Sequence, residues 1–176
     1  LDSAVHEGCR RVVAQWRLEQ DHERSDYRHV RPSLPEDTLP REGRGAPVAV
    51  TGMTWSGFRP SDDATTYGYN IPAQLMAVSA LGAIADFATE VWDDAELAGQ
   101  AQDLGEQIMA GVQRFGMTEG RYLYEVDGLG GQLAMDDANM PSLLSLPLTS
   151  DVAVEDPAYQ ATRAWVLSCL LYTSDA

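Results

Sequence analysis

An all-α fold assembled from helix–loop–helix units is predicted by three features of this chain. Apolar stripes at helical spacing fill residues 72–115. Extended character is confined to one short stretch near residues 121–127. The tetrapeptides Ser61-Asp62-Asp63-Ala64 and Met135-Asp136-Asp137-Ala138 each precede a proline and a predicted helix, a weak echo of one αα-hairpin by another. Repeated hairpins of this kind close into a toroid with the intervening loops gathered at one mouth.

Residues 2–24 read as an amphipathic helix, with Val5, Cys9, Val12 and Trp16 on one face. Residues 25–60 follow as a long irregular segment. Pro32, Pro35, Pro40, Pro47 and Pro60, with Gly43, Gly45, Gly52 and Gly57, deny it any long regular element. Interleaved Tyr27, Val30, Leu34, Leu39, Val48, Met53, Trp55 and Phe58 predict that it is ordered all the same. Pro72 fits the first turn of a helix running through Leu75, Val78, Leu81, Ile84, Phe87 and Val91. Asp93 or Asp94 caps the next helix, whose stripe Leu97, Ala101, Leu104, Ile108, Val112 and Phe115 steps by fours and threes until Gly116 and Gly120. Arg121 to Gly128 forms an extended arm entering the glycine-rich turn Gly128-Leu129-Gly130-Gly131. A third helix is expected over Asn139–Leu146 with Pro141 in its first turn. A fourth opens at Asp156-Pro157 and runs through Tyr159, Arg163, Val166 and Leu167.

At 176 residues the chain is long enough for one compact domain. Its net charge of −15 predicts a surface that repels nucleic acid and anionic membranes while leaving a neutral substrate unaffected. All twelve basic residues are arginine. No uninterrupted apolar run approaches the roughly 20 residues needed to cross a bilayer. The first residues look helical and charged rather than like a signal peptide, which says nothing about a longer parent; a cytoplasmic location is the expectation. With no initiator methionine, the chain is expected to begin inside a longer protein. Cys9 and Cys169 make no disulfide framework. The last eight residues, Cys169 to Ala176, resemble a translated sequencing adapter. Residues 1–168 are therefore expected to form one partial domain, with 169–176 a non-native tail.

The chemistry concentrates in Val50 to Pro72, a glycine-punctuated loop bearing Trp55, Arg59, Asp62, Asp63, Tyr67 and Tyr69. Aromatic faces stack on the C–H faces of a sugar ring, and carboxylates and a guanidinium meet its hydroxyls. Two Asp-Asp-Ala loops present Asp62, Asp63, Asp136 and Asp137. Glycoside hydrolysis needs one protonated carboxyl for the leaving oxygen and one ionised carboxyl to activate water or attack. Such pairs also serve as helix caps. Arg59, Trp55, Tyr67 and Tyr69 favour the catalytic reading for Asp62 and Asp63, whereas for Asp136 and Asp137 the two readings stand level. Glu125 and Asp127 divide evenly between a substrate contact and a solvated strand edge.

A metal site is disfavoured, since neither pair has a third carboxylate one helical turn on. No cofactor is expected. His6, His22 and His29 lack ligand spacing, although His22 and His29 flank Tyr27 and are candidates to line a pocket. Ser56 and Ser61 lack a nucleophile-elbow context.

Four stretches carry a resemblance to a known family. They are Asp37-Thr38-Leu39-Pro40, Thr51 to Ala64, Tyr124-Glu125-Val126-Asp127-Gly128, and Met135 to Pro147 with Asn139. In order across nearly all of residues 1–168, they resemble glycoside hydrolase family 125, the metal-independent exo-α-1,6-mannosidases. The resemblance implies an (α/α)6 barrel, here incomplete, and removal of non-reducing terminal mannose from mannose-containing oligosaccharides with inversion. It places the general acid at Asp62 or Asp63 and the other as its tuner or a hydroxyl ligand. Trp55 and Arg59 would shape the subsite for the terminal mannose, with Tyr67 beside them, and Asp136, Asp137 and Asn139 would add polar contacts. The family's general base is a glutamate beyond this chain, so the polypeptide alone is expected to be inactive. A non-catalytic carbohydrate-binding barrel, or a barrel hydrolase of another linkage, is the alternative. The oligomeric state has no signal in the sequence.

Overall fold

The computed structural model describes residues 3–168; the adapter-like tail from Cys169 lies outside the described residues. Helix α1 (Ser3–Leu18) passes through a 3-10 segment (Glu19–Arg24) into the long irregular segment. That segment holds one 3-10 turn (Pro35–Asp37) and one short turn, α2 (Pro40–Gly43), in which Arg41 and Glu42 are left-handed. Strand β1 (Tyr69–Asn70) leads directly into α3 (Ile71–Glu90) and then α4 (Ala95–Phe115).

Local chemistry explains the helix ends. The Asn70 side chain accepts the Ala73 N–H, and Pro72 occupies the first turn, so α3 starts with two of its orphan donors accounted for. Asp94, rather than Asp93, caps α4 by accepting from Leu97 N–H. Only four residues separate these helices, which forces an antiparallel pair. Leu75, Leu81, Ile84 and Ala88 of α3 meet Leu97, Ala101, Leu104, Ile108 and Val112 of α4 in the main core, and α1 lays Val13 against it. By length and composition α3 matches a bilayer-crossing helix, but half of it is packed inside the fold as a core helix would be.

After Gly116 ends α4, the chain makes a small hairpin of β2 (Met117–Thr118) and β3 (Arg121–Tyr122). Glu119 and Gly120 both have positive φ, as a tight two-residue hairpin turn requires. Strands β4 (Glu125–Val126) and β5 (Gln132–Leu133) pair antiparallel, and β4 also pairs with β1 through Tyr69–Val126 and Asn70–Glu125. The single expected extended arm is thus part of two small sheets.

The helix expected over Asn139–Leu146 does not form. Asp136 accepts the N–H groups of Leu143 and Leu144, and Ser142 and Ser145 bond each other, so this stretch satisfies its amides as turns. Pro147 lacks the N–H a helix would need there. Helix α5 therefore covers only Leu146–Thr149 with Pro147 in its first turn. Helix α6 (Pro157–Val166) begins as expected, its Asp156 cap accepting from Tyr159 N–H.

Candidate active site

The loop after Val50 is held from beneath by buried aromatic and polar groups. Trp55 is 7% exposed. Its indole stacks on His22 with ring centroids 3.6 Å apart, and Tyr27 tilts against it at 5.6 Å. A methyl group on Gly45 or Gly57 would fall 2.5 or 2.9 Å from a Trp55 ring carbon, so these glycines exist to let backbone close over the indole. His22 is buried; its Nδ1 lies 2.5 Å from Glu19 Oε2 and its Nε2 2.7 Å from the Arg44 carbonyl. Glu19 also accepts from Ser25 and Gln15. His22 therefore braces the loop and does not line a pocket. Thr54 and Gln74 exchange two hydrogen bonds, docking the loop onto α3.

Above this support the chain folds back on itself. Asp62 N–H donates to the Arg59 carbonyl at 3.1 Å and Arg59 N–H to the Asp63 carbonyl at 2.8 Å. Asp62 adopts a left-handed φ of 68°, a conformation aspartate tolerates better than most residues. Both aspartates end up exposed at the tip, and the Ser61 hydroxyl donates to Asp63 at 3.0 Å.

Arg59 anchors the tip. Its Nε donates to Glu125 Oε1 at 2.6 Å, and its Nη2 reaches Thr66 Oγ1. Glu125 is fully buried and also accepts the N–H groups of Thr66 and Tyr67 at 2.8 and 3.1 Å. The hydrogen bond that Arg59 donates to Glu125 holds the guanidinium above its ordinary value. Neither expectation for Glu125, a substrate contact or a solvated edge, describes this buried counter-ion. Tyr67 gives its amide to the same carboxylate while its ring lies against Gly131.

The second acidic loop divides its two carboxylates. Asp136 turns inward; burial pushes its carboxyl up, opposed by the N–H groups of Leu143, Leu144 and Asp137. Asp137 stays outward, held below the usual carboxylate range first by the Asn139 N–H and also by the Asn139 side-chain amide and the Arg59 charge. Asn139 is exposed and also gives its side-chain amide to Asp137 at 3.1 Å. Beneath them Tyr124 is fully buried with its hydroxyl unpaired, and burial raises the phenol.

A cleft of about 730 Å³ opens at the Asp62–Asp63 tip. Tyr27, His29, Arg31, Glu36, Asp37 and Phe58 line it with the tip itself. Of the two pocket candidates visible in the sequence, His22 and His29, only His29 lines it. Arg31 and Glu36 are not visible there, because nothing local distinguishes them from loop charges. Among the described residues, no three His, Cys, Asp or Glu side chains gather as metal ligands.

Residues 1–170 match the family described as metal-independent alpha-mannosidase, GH125. The chain belongs to this family. A solved metal-independent alpha mannosidase from Streptococcus pneumoniae is 39% identical, with a TM-score of 0.89 over 95% of this chain and 41% of that one. It is described as a non-productive substrate complex with alpha-1,6-mannobiose. The meiotically up-regulated gene 157 protein of Schizosaccharomyces pombe is 41% identical over 138 residues, 75% of this chain and 27% of that protein. The chain therefore spans less than half the length of either relative. Its mostly helical architecture is consistent with the alpha/alpha barrel of the bacterial mannosidase.

Proposed function

We propose that this chain carries the acid half of the active site of an inverting exo-α-1,6-mannosidase built as an (α/α)6 barrel. The supporting observation is the Asp62–Asp63 tip itself. In a chain of the mannosidase family, it presents two carboxyls over a cleft, near a guanidinium fixed by buried Glu125. One of the two aspartates protonates the departing oxygen, and its neighbour tunes it or holds a sugar hydroxyl. Arg59, paired with buried Glu125, orients the tip; Trp55 supports it from below, and Tyr67 ties its trailing strand to the same carboxylate. Asp137 and Asn139 offer polar contacts to the terminal mannose, while Asp136 fixes the loop that presents them.

Inversion needs a second, ionised carboxyl roughly 6.5–9.5 Å from the acid, on the opposite face of the sugar, to activate water. A glutamate outside residues 1–168 fills this role in our reading, so the 176-residue polypeptide alone releases no mannose. A complete protein carrying this sequence should release mannose from α-1,6-mannobiose, with β-mannose the first anomer seen by NMR. Losing the general acid costs about 10²–10⁴-fold in rate. Either Asp62→Asn or Asp63→Asn should show that loss on mannobiose while still turning over α-mannosyl fluoride, whose leaving group needs no proton. Normal mannobiose rates in both variants would remove the assignment.

A further inference from the structure

We propose that Glu19 holds His22 as an imidazolium, and that this buried charge clamps Trp55 and makes His22 and Glu19 positioning residues for the Asp62–Asp63 tip. The positioning half rests on the acid being one of those two aspartates. The His22 and Glu19 side chains are 0% and 7% exposed, a costly place for two ionisable groups that never meet the substrate. Their hydrogen bonds count the protons. The Arg44 carbonyl can only accept, so His22 Nε2, 2.7 Å away, carries one. Glu19 Oε1 receives the Ser25 hydroxyl at 2.6 Å and the Gln15 amide at 2.8 Å, which leaves Oε2 to face His22 Nδ1 at 2.5 Å. Two lone pairs cannot meet at that distance, so a second proton lies between them. With three donors converging on it, the Glu19 carboxyl is arranged as the ionised acceptor, and that proton belongs to the ring.

The charge lies where it can act on the loop. The imidazole plane is within 11° of the Trp55 indole, with centroids 3.6 Å apart, so an imidazolium adds cation–π attraction to the stack, out of reach of solvent. Glu19 also holds the Trp55 main chain, whose N–H donates to the Glu19 carbonyl at 3.1 Å. One residue later the loop closes on itself. Ser56 N–H donates to the Gly68 carbonyl, and Thr65 gives its hydroxyl to the Ser56 carbonyl and its N–H to the Gly57 carbonyl. The tip grows from this closure, so a displaced indole carries Asp62 and Asp63 with it. The other ionisable groups around the ring leave the charge uncontested. Glu23 is engaged by the Arg41 and Arg44 guanidinium groups at 2.7 and 3.6 Å, and Tyr27, pushed up by burial first and by Glu19 second, stays a neutral phenol.

Nitrogen NMR of the complete protein, with its histidines isotopically labelled, tests the charge. Near neutral pH both His22 ring nitrogens should carry protons in the wild type. In Glu19→Gln the carboxamide can donate to Nδ1 while its oxygen still accepts from Ser25 and Gln15, so the hydrogen bonds survive and one ring proton is lost. The positioning role is read from kcat/KM for α-1,6-mannobiose divided by kcat/KM for α-mannosyl fluoride, whose leaving group needs no proton. That ratio does not depend on how much of a preparation is folded. It should fall about tenfold or more in His22→Gln, within the roughly 10²-fold that a misplaced group can cost, and in the same direction in Glu19→Gln. A wild-type His22 with a bare Nδ1 would overturn the proposal. Ratios within about twofold of wild type in both variants, or in Glu19→Gln alone where His22→Gln does not fold, would overturn it too. A wild-type protein that turns over neither substrate would instead sink the mannosidase reading beneath it, while the nitrogen spectrum still decides the charge.

Discussion

Replacing Glu125 by glutamine removes one charge from the most deeply buried ion pair beside the Asp62–Asp63 tip. The carboxylate is fully buried and accepts three hydrogen bonds, from Arg59 Nε at 2.6 Å and from the Thr66 and Tyr67 amides at 2.8 and 3.1 Å. A carboxamide has one acceptor oxygen. If it faces the two amides, its NH2 group meets the Arg59 donor; if it faces Arg59, the amides meet donors. Each buried donor left unmet costs about 1–3 kcal/mol, and stripping the partner from a buried charge costs about 3–5 kcal/mol. Arg59 is 14% exposed, so water recovers part of this, and a loss of about 3 kcal/mol follows. Urea denaturation of the complete protein measures it. Arg59→Met combined with Glu125→Gln should lose at least ~1 kcal/mol less than the sum of the single changes, since the pair acts as a unit. Mannobiose turnover should fall as well, because the tip loses its anchor. A cost below about 1 kcal/mol for Glu125→Gln, with additive double-variant behaviour, would refute the reasoning.

Gly45→Ala should destabilise by about 1–3 kcal/mol, because overpacking a Cβ against Trp55 adds to left-handed strain, and Gly82→Ala in α3 should be neutral or stabilising by up to about 1 kcal/mol. The contrast follows from geometry: a Cβ on Gly45 (φ +83°) would sit 2.5 Å from Trp55, whereas nothing lies within 4 Å at Gly82. Denaturation midpoints of the two variants read the opposite signs. Asp94 is held below the usual carboxylate range by the Leu97 N–H first, and also by His6 and Arg10. Its stabilising contribution is thus complete above the unfolded value near 3.9 and is lost as pH falls through the lower folded value. The stability difference between wild type and Asp94→Asn, followed by denaturation across pH, should be steady near neutrality and shrink below about pH 4; a difference that grew on acidification would contradict the assignment.

The legible parts of this fold are those decided within a turn or two of chain. The stripes of α3 and α4, the cap at Asp156 and the proline openings of α3 and α6 depend on neighbours a few residues away. The two-residue strands are too short to show alternation, and their pairing, such as Asn70 with Glu125, is set by distant partners. Asn139–Leu146 carries a helix-like opening, but its amides are taken by Asp136 and by reciprocal serines. The acidic tip and the aromatic loop were visible as residue types. The burial of Trp55 was not, because the glycines and His22 that enclose it come from other segments. Glu125 looked ambiguous for a similar reason, since its arginine lies 66 residues earlier.

The stretch from His29 to Leu39 is closed at its base, with His29 bonded to Gly43 and Leu39 bonded back to His29. A segment that completes its own frame can vary between its ends without disturbing the acidic tip or Arg59. Grafting another such segment between His29 and Leu39 should therefore leave the Arg59–Glu125 pair and the backbone bonds of the acidic tip unchanged.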